Sequence, residues 1–189
     1  MQNTLQICYI GIMTIPGRII TKRLVLRKPR MDDAADIFKK YARDRKVTKY
    51  LIWKPHKQLQ TVRSFLKKTI KNMLKGDECP YVIEKRSTGE LIGMITARIT
   101  GNKASIGYVL ARKFWGKGFA TEAAISLIKI LKKERSIFRI WATCDNENKA
   151  SARVLVKSGM KLEGILKKWI KLHSFIKPRD ALCYSVTRK

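Results

Sequence analysis

The chain has 189 residues, 45% hydrophobic and 30% charged, which suits one domain of ordinary size with a real core and excludes compositional disorder. Its 42 Lys and Arg stand against 14 Asp and Glu, a formal charge of +28 that attracts polyanions and disfavours polycations such as polyamines as substrates. Four cysteines without a C-x-x-C pair, and only two histidines, argue against a zinc site or any other metal and for a reducing, cytoplasmic setting.

Residues 1–18 read as an N-terminal extension of uncertain order, and residues 19–189 as a single domain. The opening "MQNTLQICYIGIMTIPG" is mildly apolar but lacks the basic start and small-residue cleavage site of a signal peptide, and Met13 is an alternative start. Nothing in the chain reaches the roughly 20 apolar residues of a membrane span.

From Ile19 to Arg30 the alternation around Leu24 and Leu26 predicts one strand, stopped at Pro29. "MDDAADIFKKYARD" predicts a helix capped by Asp32 or Asp33, and "LIWKPHKQ" a loop marked by Pro55. Val62, Phe65, Leu66, Ile70, Met73 and Leu74 recur at helical spacing, closed by Gly76. "YVIEKRSTGELIGMITARI" and "KASIGYVLAR" predict three successive antiparallel strands, turning at the "STG" before Glu90 and at Gly101-Asn102. A helix follows from Gly118 or Phe119, then a buried strand "IFRIWATCD", a short helix closed by Gly159, and a long terminal hairpin. Cys144 and Cys183 fall in apolar runs and read as buried thiols. One mixed α/β domain accounts for this order.

Gly116 and Gly118 sit where the third strand of the meander gives way to a helix. Without Cβ atoms they permit positive φ and leave the main chain bare, and the first N–H groups of a helix are unpaired and partly positive. Together they make a turn suited to phosphate oxygens, with Lys117 adding charge, although such a pair also serves as an ordinary turn. The spacing is neither that of a P-loop nor of a dinucleotide fingerprint.

A second segment sharpens the reading. "IGYVLARKFWGKGFATEA" (106–123), "DNENKASARVLVKSGM" (145–160) and "EGILKKW" (163–169) occur in order, after "TKRLVLRKPRMDDAADIF" (21–38) and "TGELIGMI" (88–95). Together they resemble the GNAT superfamily of acyl-CoA-dependent acetyltransferases, and within it the branch of the ribosomal-protein alanine N-acetyltransferases. The resemblance implies a GNAT fold: a single domain with a central mixed, mostly antiparallel sheet flanked by helices. It implies acetyl-CoA as co-substrate. Trp115, Gly116, Lys117, Gly118, Phe119 and Ala120 would form the pyrophosphate loop, followed by Thr121, with Trp115 standing where Gln or Arg is usual. The main chain of Tyr108, Val109 and Leu110 would pair with the pantetheine arm. Asn148 would hydrogen-bond the cofactor, or simply cap its helix. Ser151 would hydrogen-bond or protonate the leaving thiolate, or be an ordinary helical serine. Many family members use a Tyr for this, at a position that holds Leu155 here.

The chain also departs from the family. The strand glutamate that many members use as a base is Ser105 here, and a second base position aligns near Ile170. Water, the acceptor's own N-terminal amine, Asp180 or Tyr184 remain for proton removal, while Glu163 reads as structural. Trp53 and His56 fall in the loop that resembles the branch's acceptor side. The resemblance implies an acetyl group moved to a primary amine, foremost a protein N-terminal amine such as that of a ribosomal protein, with the basic surface free to meet ribosome or RNA. The alternatives are a small-molecule amine acetyltransferase and a catalytically weak CoA- or RNA-binding module.

Overall fold

The computed structural model describes residues 7–10 and 13–188. A short hairpin, β1 (Ile7–Ile10) and β2 (Met13–Pro16), precedes an eight-stranded sheet in the order β3-β4-β5-β6-β7-β8-β10-β9. Its strands are β3 (Arg18–Ile20), β4 (Leu24–Arg27), β5 (Glu78–Lys85), β6 (Leu91–Thr100), β7 (Lys103–Leu110), β8 (Arg139–Asp145), β9 (Lys161–Ile170) and β10 (Arg179–Thr187). All neighbouring pairs in this sheet are antiparallel except β7 and β8, which run parallel. The mixed, mostly antiparallel α/β architecture is the one the sequence implied. Ile15 is fully buried in the main core, and Tyr81 donates its hydroxyl to the Pro16 carbonyl at 2.5 Å.

The strand anticipated over Ile19–Arg30 is two strands. Thr21 turns the chain: its N–H reaches the Leu24 carbonyl at 2.9 Å and its Oγ1 accepts from the Leu24 N–H at 2.8 Å. β3 therefore folds back on β4, with Ile19 opposite Leu26. The helix after Pro29 is also broken. α1 (Asp33–Ile37) widens into a π-helical turn over Phe38–Ala42, and α2 (Arg45–Thr48) restarts behind an Asp44 cap. Asp33 rather than Asp32 does the anchoring, accepting from the Arg30 N–H at 2.6 Å and pairing with Arg27.

α3 (Leu59–Lys75) buries Val62, Leu66 and Thr69, one face of a helix, and ends at Gly76 in the left-handed conformation with φ +89°. α4 (Phe119–Leu131) buries Phe119, Ala123, Ala124, Leu127, Ile128 and Leu131 against β4, β6 and β7. α5 (Lys149–Lys157) packs on α4 and on β8, β9 and β10. Consecutive residues Tyr81, Val82 and Ile83 of β5 are all fully buried, so helices cover both faces of the central strands. Among the described residues no helix is long and apolar enough to cross a membrane.

Candidate active site

The parallel pair at the centre of the sheet is incomplete. β7 and β8 share a ladder only at Lys103–Arg139, Ala104–Ile140 and Ser105–Trp141. Beyond Ser105 the two strands part. β7 stays on β6 as far as Leu110 opposite Gly93, while β8 stays on β10 as far as Asp145 opposite Ala181. Two strand edges thus face one another across a wedge, with main-chain donors and acceptors open to a guest that can pair as a strand does.

The glycine turn lies beyond the end of β7. A short 3-10 turn, Arg112–Phe114, leads into Gly116 and Gly118, both left-handed with φ of +75° and +78°. A Cβ at Gly116 would meet nothing within 4 Å. Gly118 is the N-cap of α4 and offers no side chain to its open N–H groups. Trp115 is 47% exposed but its indole N–H is spent on the Leu110 carbonyl at 2.9 Å, which ties the loop to the end of β7. Lys117 and Thr121 stand in the same loop and first turn, Lys117 fully outside the core.

A brace that sequence reading missed fixes this turn. Arg23 donates to the Lys117 carbonyl at 2.9 Å and to Glu122 Oε2 at 2.6 Å, and its guanidinium lies 4.6 Å from the centre of the Phe119 ring. Glu122 Oε1 also accepts from the Arg23 N–H at 2.8 Å and the Thr21 hydroxyl at 2.6 Å. Burial works against the Glu122 charge, yet these donors hold its carboxyl below the usual range. The residues lie in "TKRL" and "ATEA", about 100 positions apart, so no spacing rule connects them.

Across the wedge, α5 opens with Asn148, whose Oδ1 accepts from the Ser151 N–H at 3.1 Å. The side chain is a helix cap, and its amide hydrogens are left over for a ligand. The Tyr108 hydroxyl reaches from β7 to Ser151 Oγ at 2.8 Å. Cys144 lies beside Ser151, its thiol pushed up to about 11, chiefly by burial. Tyr184 stands on β10 opposite Ala142, only 5% exposed, with its phenol raised by burial.

Loops carry a further group of aromatic side chains. Trp53 and His56 stack with ring centres 5.0 Å apart, and burial lowers the His56 imidazole below its ordinary value, favouring the neutral form. Tyr50 stacks on Phe175 at 6.1 Å, and His173 Nε2 lies 2.8 Å from the Thr48 carbonyl, which joins the α2 segment to the β9–β10 connection. That connection and the turn at Asn146 and Glu147 bound a cavity of about 380 Å³. Arg179 closes its floor, pairing with the buried Asp145 at 2.5 Å and with Glu147 at 2.9 Å.

Two carboxylates on β9 and β10 are engaged. Asp180 accepts from the Lys168 N–H and from Lys167 Nζ, both at 2.9 Å, and these hold it below its ordinary value. Glu163 is pulled down to about 2, first by Arg139 and then by the Ser185 hydroxyl. Each is thereby a weaker base than a free carboxylate.

A sheet split between two neighbouring parallel strands, with a bare phosphate-sized turn at its mouth, defines a class of transferase that draws a long acyl carrier between strands. The chain belongs to the GNAT acetyltransferases: the Acetyltransferase (GNAT) domain matches residues 23–161. It is 33% identical over 156 residues to the uncharacterised N-acetyltransferase p20 of Bacillus licheniformis, covering 81% of this chain and 87% of that one. RimJ of Mycobacterium smegmatis, solved with a CoA disulfide, matches with a TM-score of 0.78 and 26% identity over 87% of this chain and 81% of that one. An acetyl transferase of Salmonella typhimurium that modifies the N-terminal serine of ribosomal protein L7/L12 matches with a TM-score of 0.79 and 20% identity, over 89% of this chain and 97% of its own. These neighbours agree with the branch that the sequence resembles, and the chain is an N-acetyltransferase.

Proposed function

We propose that the protein moves the acetyl group of acetyl-CoA to a primary amine, and that the acceptor is a protein N-terminal amine such as that of a ribosomal protein. The observation that carries the reading is the parting of β7 and β8 after Ser105. The freed edge at Tyr108, Val109 and Leu110 can bond the amides of pantetheine. The open N–H groups from Gly116 to Thr121 face the diphosphate at the start of a thirteen-residue helix. Asn148 supplies a side-chain amide from the opposite wall, and Ser151 stands where the thiolate departs. Trp53 and His56 line the acceptor approach.

The engaged carboxylates support an N-terminal acceptor. An attacking amine must be neutral, and an α-amine of pKa near 7.8 is about 14% neutral at pH 7, against roughly 0.04% for a lysine near 10.4. Without a free carboxylate base an α-amine starts with about 350 times more of its neutral form, only part of which a lysine regains through its greater nucleophilicity, and water takes the proton. The neutral nitrogen attacks the thioester carbon, the C–S bond breaks, and sulfur leaves with the electron pair. Proximity in the wedge supplies much of the acceleration.

The test is free-thiol release from acetyl-CoA with peptides beginning Ala, Ser or Met, beside small amines and Nα-blocked lysine peptides. Turnover with free N-termini that Ser151→Ala cuts at least tenfold is expected. Turnover with small amines alone would overturn the peptide acceptor.

One observation favours an additional RNA contact. Arg63, Lys67, Lys71 and Lys75 occupy every fourth position on the exposed side of α3, beside Lys68, and α3 contains no acidic residue. Like charges at this spacing destabilise a helix by themselves and suit a phosphate backbone. Lys67→Ala with Lys71→Ala is expected to lower the salt slope of RNA binding by about one to two, and an unchanged slope would remove α3 from the contact.

A further inference from the structure

Tyr108 contributes a side chain as well as a strand edge. Its ring leaves β7 where the wedge opens, and its hydroxyl lies 2.8 Å from Ser151 Oγ and 3.2 Å from the Ser151 carbonyl, 43 positions along the chain. This contact bridges the two walls of the split: one partner rides on the strand that would carry the pantetheine, the other on the helix across from it. The serine backbone is itself held by the Asn148 cap, so the bond joins two fixed elements.

A lone serine hydroxyl rotates and can donate to any acceptor near it. Here the competing neighbours are the Cys144 sulfur from β8 and main-chain carbonyls of its own helix turn. Either oxygen of the 2.8 Å contact can donate, and the phenol's one hydrogen also has the Ser151 carbonyl within 3.2 Å; where it donates to Oγ it fills a serine lone pair and leaves the serine hydrogen free to turn elsewhere. We propose that Tyr108 is a positioning residue for Ser151: its hydroxyl donates to Ser151 Oγ and so directs the serine hydrogen at the CoA sulfur as the thioester breaks.

The inference rests on the acetyl-transfer reading. In the step it describes, the C–N bond forms, the C–S bond breaks and the electron pair stays on sulfur. The Ser151 O–H stabilises that thiolate, and the proton lost by the amine balances the one that finally makes the free thiol. Tyr108 keeps its own proton throughout. Burial raises its phenol well above the ordinary 10, with Ser151 pulling the other way and the Cys144 thiolate form adding to the rise. A phenol so firmly neutral keeps its hydrogen and does not serve as a base. Cys144 is the titratable group that acts on this pair, and around Cys144 in turn lie Asp145 at the end of β8, Lys149 on the same helix and Tyr184 from β10.

The test reads the thiol and requires no acceptor. CoA is titrated in complex with the full chain by the ultraviolet absorbance of its thiolate, with the complex of desulfo-CoA as blank to remove protein thiols and phenols. Binding of CoA itself is measured alongside by calorimetry. The wild-type complex should hold the CoA thiol below its value in solution. Tyr108→Phe should raise it by about half a pH unit to one, a three- to ten-fold change in thiolate fraction at fixed pH, read on the CoA-saturated complex so that any change in affinity is separated from it. Ser151→Ala should raise it at least as far, Ser151→Thr should keep it low, and adding Tyr108→Phe to Ser151→Ala should change nothing more.

A Tyr108→Phe complex with the wild-type thiol value would overturn the proposal. So would a full further shift in the Ser151→Ala background, because the tyrosine would then act without the serine. Wild-type protein that binds no CoA would overturn the acetyl-transfer reading and the tyrosine's role with it. CoA bound with an unperturbed thiol would overturn the tyrosine's role alone.

Discussion

Replacing Gly116 by alanine separates two reasons for a glycine at that turn, a backbone that needs positive φ and a backbone that must stay bare for a ligand. Gly116 has φ +75°, and a Cβ there would meet no atom within 4 Å, so the folded chain bears conformational strain and no clash. A left-handed L-residue costs about 1–2 kcal/mol, offset by about 0.4–1 kcal/mol from the stiffer unfolded chain. The net is about 1 kcal/mol, a fall in Tm of roughly 2–4 °C for a chain of this size. Gly89 and Gly101 provide strain controls, with φ of +67° and +56° and equally open surroundings; Gly101 turns at the far end of β6 and β7, while Glu90 beside Gly89 pairs with Lys113 at 2.5 Å. All three alanine variants should lose about the same Tm. Only Gly116→Ala should weaken CoA binding, by about tenfold or more, which is about 1.4 kcal/mol. Scanning fluorimetry and calorimetric titration with CoA read both quantities on the same samples. If Gly116→Ala loses the controls' Tm and keeps wild-type CoA affinity, the turn is only a turn and the diphosphate assignment is wrong.

Arg23→Ala removes the donor to Lys117 and leaves Glu122 Oε2, on a side chain 17% exposed, without its partner, so a loss of about 1–2 kcal/mol and a three- to ten-fold weaker CoA complex are expected by the same two assays. Gly93→Ala places a Cβ 2.2 Å from the Val109 carbonyl, so β6 and the free end of β7 must move apart, and urea denaturation should show a loss above about 2 kcal/mol; a smaller loss would mean the strands already yield there. Arg179→Ala leaves the buried Asp145 carboxylate with the Glu147 N–H but no cation and should lower the midpoint of the same urea measurement, whereas an unchanged midpoint would show that water replaces the guanidinium. Glu163 and Asp180 have folded values below their ordinary ones, so their contribution is present above about pH 5 and is lost as pH falls toward 2. His56, lowered by burial, adds to that fall below about 6.5, since the unfolded chain takes the proton first. Tm should therefore decline steadily on acidification, and a Tm unchanged down to pH 3 would contradict these assignments.

Much of this protein was legible in order along the chain, because turns and periodicity are properties of neighbours. Gly76, Gly101 and Gly118 ended or opened elements where a left-handed residue was needed, and the apolar stripe of α3 named its buried face. The strand over Ile19–Arg30 was misread because its break at Thr21 is fixed partly by Glu122, 101 positions away. The same limit hid the site's working parts. Trp115 looked like a loop residue open to a phosphate, and only the fold shows its indole bound to Leu110. Tyr108 enters the sequence reading through its main chain, and its hydroxyl acquires a partner only when α5 is laid beside β7. The sequence by itself determined the elements from α3 onward, the glycine turn and, through its motifs, the family. The tertiary structure alone decided where β7 and β8 part and which side chains meet across the gap, because those contacts join segments whose local preferences carry no record of one another.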